Sequence, residues 1–282
     1  MSSAESRFTG AGGVRIFWQS WLPEADPRAV VVIAHGADEH SGRYEHVAAR
    51  LVSEGCAVYA IEHRGHGRSD GPRALIDRMS NAVADLDTLV TMCATEHPGA
   101  AVFLLGHSVG GTISLRYAID YPERLSGLIL SGPLAALDAA PAAQRIVAGI
   151  LSAVAPKAGL LAIEPSLISR DPAVVSAYVE DPLVHHGKLP ARTVTELASA
   201  IQSLPEAVRA ITIPTLIMYG TDDQLCPPRG STMLGERIGA ADKTVTPYDG
   251  LQHEILNEPE QDQVLDEMCT WLAARIALAR TR

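Results

Sequence analysis

Ser108 stands at the centre of the run Gly106-His107-Ser108-Val109-Gly110, a G-x-S-x-G spacing with a glycine on either side of a potential nucleophile. Glycine at those positions lets the backbone turn sharply, so that the hydroxyl is left exposed at the tip. The apolar run 102–105 just before it reads as a strand, and 112–121, halted by Pro122, reads as a helix. The five residues alone recur by chance; the strand, sharp turn and helix around them give the spacing its meaning. A free serine is a poor nucleophile, so a base must sit beside it and a third group must orient that base.

When such a serine crowns a parallel sheet, the acid and the base follow it in chain order, on loops after later strands. Of the ten histidines only His253 lies beyond the last strand-like run, in Asp249-Gly250-Leu251-Gln252-His253, and it is the expected base. The acid is expected just after 215–219, where Asp222 and Asp223 are adjacent and spacing cannot separate them. Its work would be to hold the imidazole tautomer and stabilise the imidazolium. Two backbone N–H groups must receive the developing oxyanion. Val109 is expected to supply one, at the start of a helix whose dipole favours negative charge. Ala37, in His35-Gly36-Ala37 after an early strand, is expected to supply the other.

The elements that must carry these groups alternate in type. Strand-like runs at 14–21, 29–34, 57–61, 102–105 and 125–130 are interleaved with helical patterns at 82–95 and 112–121. Strands resume at 215–219 and 243–248, and an amphipathic helix from about 259 closes the chain. This alternation predicts an α/β fold: a mostly parallel central sheet with helices on both faces. Residues 134–210 break the rhythm, with helical segments, Pro141, Pro156, Pro165, Pro172, Pro182 and Pro190 as punctuation and no convincing strand. The expected organisation is a core of 1–133 and 211–282, with 134–210 inserted as a helical cap or lid above the strand C-termini, where open α/β sheets bind ligands.

Composition narrows the partners. Apolar residues at 47% suit a chain with a large packed core. A formal net charge of -10 argues against nucleic acid, which needs clustered Lys and Arg, and against electrostatic docking on anionic lipid. Cys56, Cys93, Cys226 and Cys269 are scattered without C-x-x-C spacing, which favours a reducing compartment over a disulfide or zinc framework. The first ten residues lack an apolar h-region and no run approaches a membrane span, so a cytoplasmic location, with peripheral membrane contact at most, is expected. The loop His63-Arg64-Gly65-His66-Gly67-Arg68-Ser69 has neither a completing carboxylate or cysteine set nor P-loop spacing, and reads as a tight structural turn. His185-His186 reads as a polar surface pair. No cofactor and no resident metal are expected.

Several segments together resemble the monoacylglycerol lipases of the α/β-hydrolase superfamily, in particular bacterial, actinobacterial members. His35 to Tyr44 resembles their H-G-x-x-E-H-x-x-R-Y segment, and Glu62 to Gly71 their D-H-x-G-H-G-x-S-x-G loop, with Glu62 replacing aspartate. Gly106 to Gly111 resembles G-H-S-M-G-G, with Val109 in place of methionine, and Asp181-Pro182-Leu183 resembles a D-P-L element of the lid. The resemblance places the acid on Asp223 within G-x-x-D and the base on His253. It also implies that Glu39, Arg43 and Tyr178 lie near the polar head of the substrate, although Glu39 and Arg43 could equally form a salt bridge that braces their loop. The implied activity is hydrolysis of a monoacylglycerol to fatty acid and glycerol. The same groups would serve a lysophospholipase, a broader carboxylesterase or thioesterase, or a peptidase, and a non-catalytic binder would not need all three.

Overall fold

The computed structural model describes residues 2–137 and 141–279. In chain order the elements are β1 (Ser2–Thr9), β2 (Arg15–Leu22), β3 (Ala29–Ala34), α1 (Glu45–Ser53), β4 (Cys56–Ile61), α2 (Met79–Glu96), β5 (Ala101–His107) and α3 (Ser108–Asp120). They continue with β6 (Gly127–Ser131), α4 (Ala142–Val154), β7 (Gly159–Leu161), α5 (Pro172–Glu180), β8 (Leu189–Pro190) and α6 (Ala191–Ala207). β9 (Thr215–Gly220), α7 (Pro228–Arg237), β10 (Lys243–Tyr248) and α8 (Gln261–Ala279) complete the chain.

Among the described residues one eight-stranded sheet runs in the order β1-β2-β4-β3-β5-β6-β9-β10. β1 and β2 pair antiparallel at one edge, and every pairing from β4 to β10 is parallel. Strand β3, Ala-Val-Val-Val-Ile-Ala, is wholly buried because helices cover both faces, as its uninterrupted apolar run foretells. Its alternate residues go to opposite cores. Val30, Val32 and Ala34 join Leu86, Leu89 and Ile113 on the side of α2 and α3. Val31 and Ile33 join Val47, Leu51, Met268 and Leu272 on the side of α1 and α8. The period of two along a strand thus welds both helix layers to the strands that carry the site.

Two sequence expectations need correction, and one strand had no sequence expectation at all. Residues 2–9 form the exposed edge strand β1, whose polar sequence hides it from any hydrophobic pattern. The helix after the serine starts at Ser108 itself, not at 112, because Gly110 and Gly111 disguise its first turn. Residues 134–210 are not free of strand: Gly159–Leu161 and Leu189–Pro190 pair as a short antiparallel ribbon, too brief to leave an alternating pattern. Its α-helices among the described residues are α4, α5 and α6, and α6 buries Leu197, Ile201 and Leu204 in the same core as α3.

Candidate active site

Ser108 lies where β5 becomes α3, and it holds a φ of 52°, the left-handed region that a non-glycine residue enters only under constraint. Such a conformation costs on the order of 1–3 kcal/mol, so the surroundings must enforce it. They do so by close packing: a Cβ on Gly110 would stand 2.1 Å from the Ala34 carbonyl oxygen, so only glycine lets α3 press against the end of β3. Gly36, on the loop after β3, is also tightly packed, and a Cβ there would meet the Ser108 Cβ at 3.1 Å. This approach brings Gly36 and Ala37 to the wall of the cavity that contains Ser108 and Val109. Val109 is the second residue of α3, where backbone N–H groups have no acceptor within the helix.

Asp223 and His253 hang on the loops after β9 and β10 and meet beside the serine. His253 Nδ1 lies 2.8 Å from Asp223 Oδ2, while Asp223 Oδ1 accepts from the backbone N–H groups of Leu225 (2.9 Å) and Cys226 (2.8 Å). Asp223 is buried and Asp222 exposed, which separates the two residues that spacing left open. Burial alone would depress the His253 imidazole; the Cys226 sulfur and the Asp223 carboxylate beside it outweigh burial and raise it well above the usual imidazole value. Cys226, which no sequence pattern singled out, lies with its Sγ 3.6 Å from Ser108 Oγ. Its only trace in the sequence is its place three residues after Asp223.

The cavity above Ser108 measures about 230 Å³. Its walls are mostly apolar and come largely from residues after β6: Leu134, Leu137, Leu161, Ile163, Ile168, Leu189, Val194 and Leu197. Polar groups gather at Glu39, His107, Tyr178 and Glu254. Glu39 and Arg43 do form the salt bridge that the residues allowed, at 2.7 Å, within a larger network. Glu39 Oε1 accepts from Gly36 N–H and from the Tyr44 hydroxyl, each at 2.6 Å. Arg43 donates to both oxygens of Glu254, at 2.7 and 2.8 Å, and its guanidinium lies 4.9 Å from the centre of the Tyr178 ring. Glu254 had no sequence signal beyond following His253. Asp38, next to Ala37, also takes a left-handed φ of 62°, and burial pushes its carboxyl up to about 7.

None of the 63–69 loop lines the cavity. Its Arg64 is fixed by Asp85 at 2.9 Å and Asp77 at 2.8 Å, and the buried Glu62 accepts from the Ser41 hydroxyl at 2.9 Å, so the turn ties loops together. His186 is exposed, with its ring 6.0 Å from that of Tyr178. Asp181 lies 2.8 Å from His40 Nε2 and so links the stretch after β6 to the loop after β3.

A mostly parallel sheet in this strand order, with a serine on the turn after β5 and an aspartate–histidine pair after β9 and β10, defines an α/β-hydrolase. A family model described as serine aminopeptidase, S33, matches residues 25–260. A monoacylglycerol lipase of Mycolicibacterium smegmatis is 44% identical over 97% of this chain and 98% of its own. Human monoglyceride lipase is 34% identical over 96% of this chain and 91% of its own. The crystal structure of the Paleococcus ferrophilus monoacylglycerol lipase superposes with a TM-score of 0.82 at 30% identity, covering 98% of this chain and all of that one. The chain belongs to the monoacylglycerol lipase family of the α/β-hydrolases.

Proposed function

We propose that this enzyme hydrolyses monoacylglycerols, with Ser108 as nucleophile, His253 as general base and acid, and Asp223 as the group that orients it. Ser108 Oγ attacks the ester carbonyl and gives its proton to His253 Nε2, and the backbone N–H groups of Ala37 and Val109 receive the oxyanion. The protonated imidazole then gives its proton to the departing glycerol. Water, activated by the same histidine, frees the fatty acid from Ser108. Residues 134–210 act as a cap over this machinery.

The observation that carries the substrate class is the cavity itself, an apolar space with one polar side and the serine on its wall. A monoacylglycerol offers one chain to the apolar walls and two hydroxyls to the side formed by Glu39, Glu254 and Tyr178. A triacylglycerol would have to push two further chains through those polar groups, at about 1–3 kcal/mol for each one left unpaired. One or two such costs amount to discrimination of roughly ten- to several-hundred-fold. Monoolein is therefore expected to be cleaved at least tenfold faster than triolein in matched emulsions, with diolein between; equal rates on the two extremes would sink the assignment. A lysophospholipid is a poorer fit, because Arg43 is already held by two carboxylates and a phosphodiester there would face Glu39 and Glu254.

The partner for docking is a lipid surface, and the face that meets it is the outer side of α4. Ile146, Val147, Ile150 and Val154 are 63%, 54%, 56% and 74% exposed, with Leu137 and Leu161 exposed beside the cavity they line. Leu151 is half-buried and belongs to the inner side. Burying a few hundred Å² of this surface would supply several kcal/mol at about 25 cal/mol per Å². Charge cannot supply it, since the chain carries a net -10. Binding to phosphatidylcholine vesicles is expected to persist at 1 M salt, on the order of a 3 Å screening length, and to fall on Ile150→Asp. Vesicle binding that vanishes in salt would point elsewhere. No helix among the described residues is long and apolar enough to cross a membrane. The four unpaired thiols favour a reducing, cytoplasmic setting for this peripheral contact.

A further inference from the structure

Asp223, Cys226 and His253 are all buried, and each offers a ligand atom within 4.8 Å of the others. The hydrolytic chemistry uses two of them and has no task for the thiol. Cys226 is nonetheless placed where a metal ligand would be. His253 Nδ1 is occupied by Asp223, which leaves Nε2 as the ring's remaining ligand atom. A histidine whose other nitrogen is held by a carboxylate is the arrangement that zinc sites employ, since the carboxylate fixes the ring and raises its basicity. The sulfur lies beside this ring, and its separation from Ser108 Oγ is 3.6 Å. Two ligands of a tetrahedral zinc, with Zn–S of about 2.3 Å and Zn–O of about 2.0 Å, stand roughly 3.5 Å apart. The existing spacing therefore needs little adjustment.

We propose that the Cys226 thiolate and His253 Nε2 form an inhibitory site for a soft divalent cation, zinc first among them, with Ser108 Oγ and cavity water completing the tetrahedron. In the binding step the Cys226 S–H bond and the Nε2–H bond of the protonated imidazole break and their protons pass to solvent; Zn–S and Zn–N bonds form, and nothing is oxidised or reduced. The cavity beside Cys226, His253 and Ser108 gives the cation its way in. Thiolate and imidazole together favour zinc over magnesium or calcium, which prefer oxygen. The bound cation holds the lone pair that should accept the serine proton, so ester hydrolysis stops while the ion stays.

The test uses the full chain with zinc alone, and separately with cobalt as a spectroscopic stand-in. Micromolar zinc, on the order of a moderate protein site, is expected to inhibit hydrolysis of p-nitrophenyl butyrate, with EDTA restoring the rate and magnesium having no effect. Cys226→Ser should need at least 100-fold more zinc for half inhibition, measured against its own zinc-free rate. The cobalt adduct should show a thiolate-to-cobalt charge-transfer band that Cys226→Ser lacks. Equal zinc sensitivity in the variant, or a cobalt adduct without that band, overturns the site. Equilibrium dialysis of zinc against both proteins reads binding without turnover: one tightly held ion fewer in Cys226→Ser supports the site, and identical stoichiometry removes it. The inhibition arm rests on His253 acting as the base, whereas the dialysis and cobalt arms do not, so the two failures are told apart.

Discussion

Ser108→Ala and His253→Ala are each expected to lower kcat for ester hydrolysis by roughly 10⁴- to 10⁶-fold, because members of a catalytic unit fail together rather than additively. Asp223→Asn should cost on the order of 10⁴-fold, since an amide at that position no longer secures the correct tautomer of the imidazole. Asp222→Asn should change kcat less than about twofold, as its carboxylate is exposed. Thermal denaturation of each variant distinguishes lost chemistry from lost fold. The wild-type pH profile carries a further sign. A base must be unprotonated, and His253 is raised above its ordinary 6.5. Activity should therefore fall as pH drops through that raised value, with the acid limb above 6.5. Equal losses for Asp222→Asn and Asp223→Asn, or an acid limb well below that point, would dismantle the proposed triad.

The second large effect is on stability. Among the described residues Arg43 is the one group facing both Glu39 and Glu254 at hydrogen-bond distance, in a site where all three side chains are almost wholly buried. Arg43→Met would leave two buried carboxylates facing each other, a loss of about 3–5 kcal/mol for a broken buried pair. For a chain of this size that corresponds to a fall in Tm on the order of 10 °C near neutral pH. Burial opposes the charge on Glu39, but Arg43, His107, the Tyr44 hydroxyl and the Gly36 N–H together hold its ionisation below the usual 4.5. A depressed carboxylate stabilises the fold above its unfolded value and loses that contribution as pH falls through the folded one. The gap between wild type and variant should accordingly be widest near pH 7 and shrink below pH 4.5, a trend readable from melting curves. A gap independent of pH would mean that Arg43 acts through its packing on Tyr178 alone.

How far the sequence foretold these features depends on the range of the interactions behind them. The turn at Ser108 was legible because strand, glycines and helix are local, and the alternating pattern carried the parallel sheet. His253 was legible by its position after the last strand. The choice of Asp223 over Asp222 could be made only by resemblance, since the distinction arises from Leu225 and Cys226 N–H groups folding back onto one carboxylate. Cys226 and Glu254 were missed for the same reason: their partners Ser108 and Arg43 lie 118 and 211 residues away in sequence. β1 was missed because an exposed edge strand with both faces wet needs no apolar alternation. Conversely, the exposed apolar side of α4 was visible as helical periodicity, but only the fold reveals that the stripe of Ile146, Val147, Ile150 and Val154 faces outward.

Ser108, Asp223, His253 and the loop of Gly36 and Ala37 all sit at the ends of β3, β5, β9 and β10, whereas most of the apolar part of the cavity wall belongs to the single stretch between β6 and β9. Reactivity and taste are thereby written in separate passages of the gene. A lineage can redraft one contiguous stretch, changing the length or branching of the fat it digests, while the bond-breaking apparatus is inherited untouched.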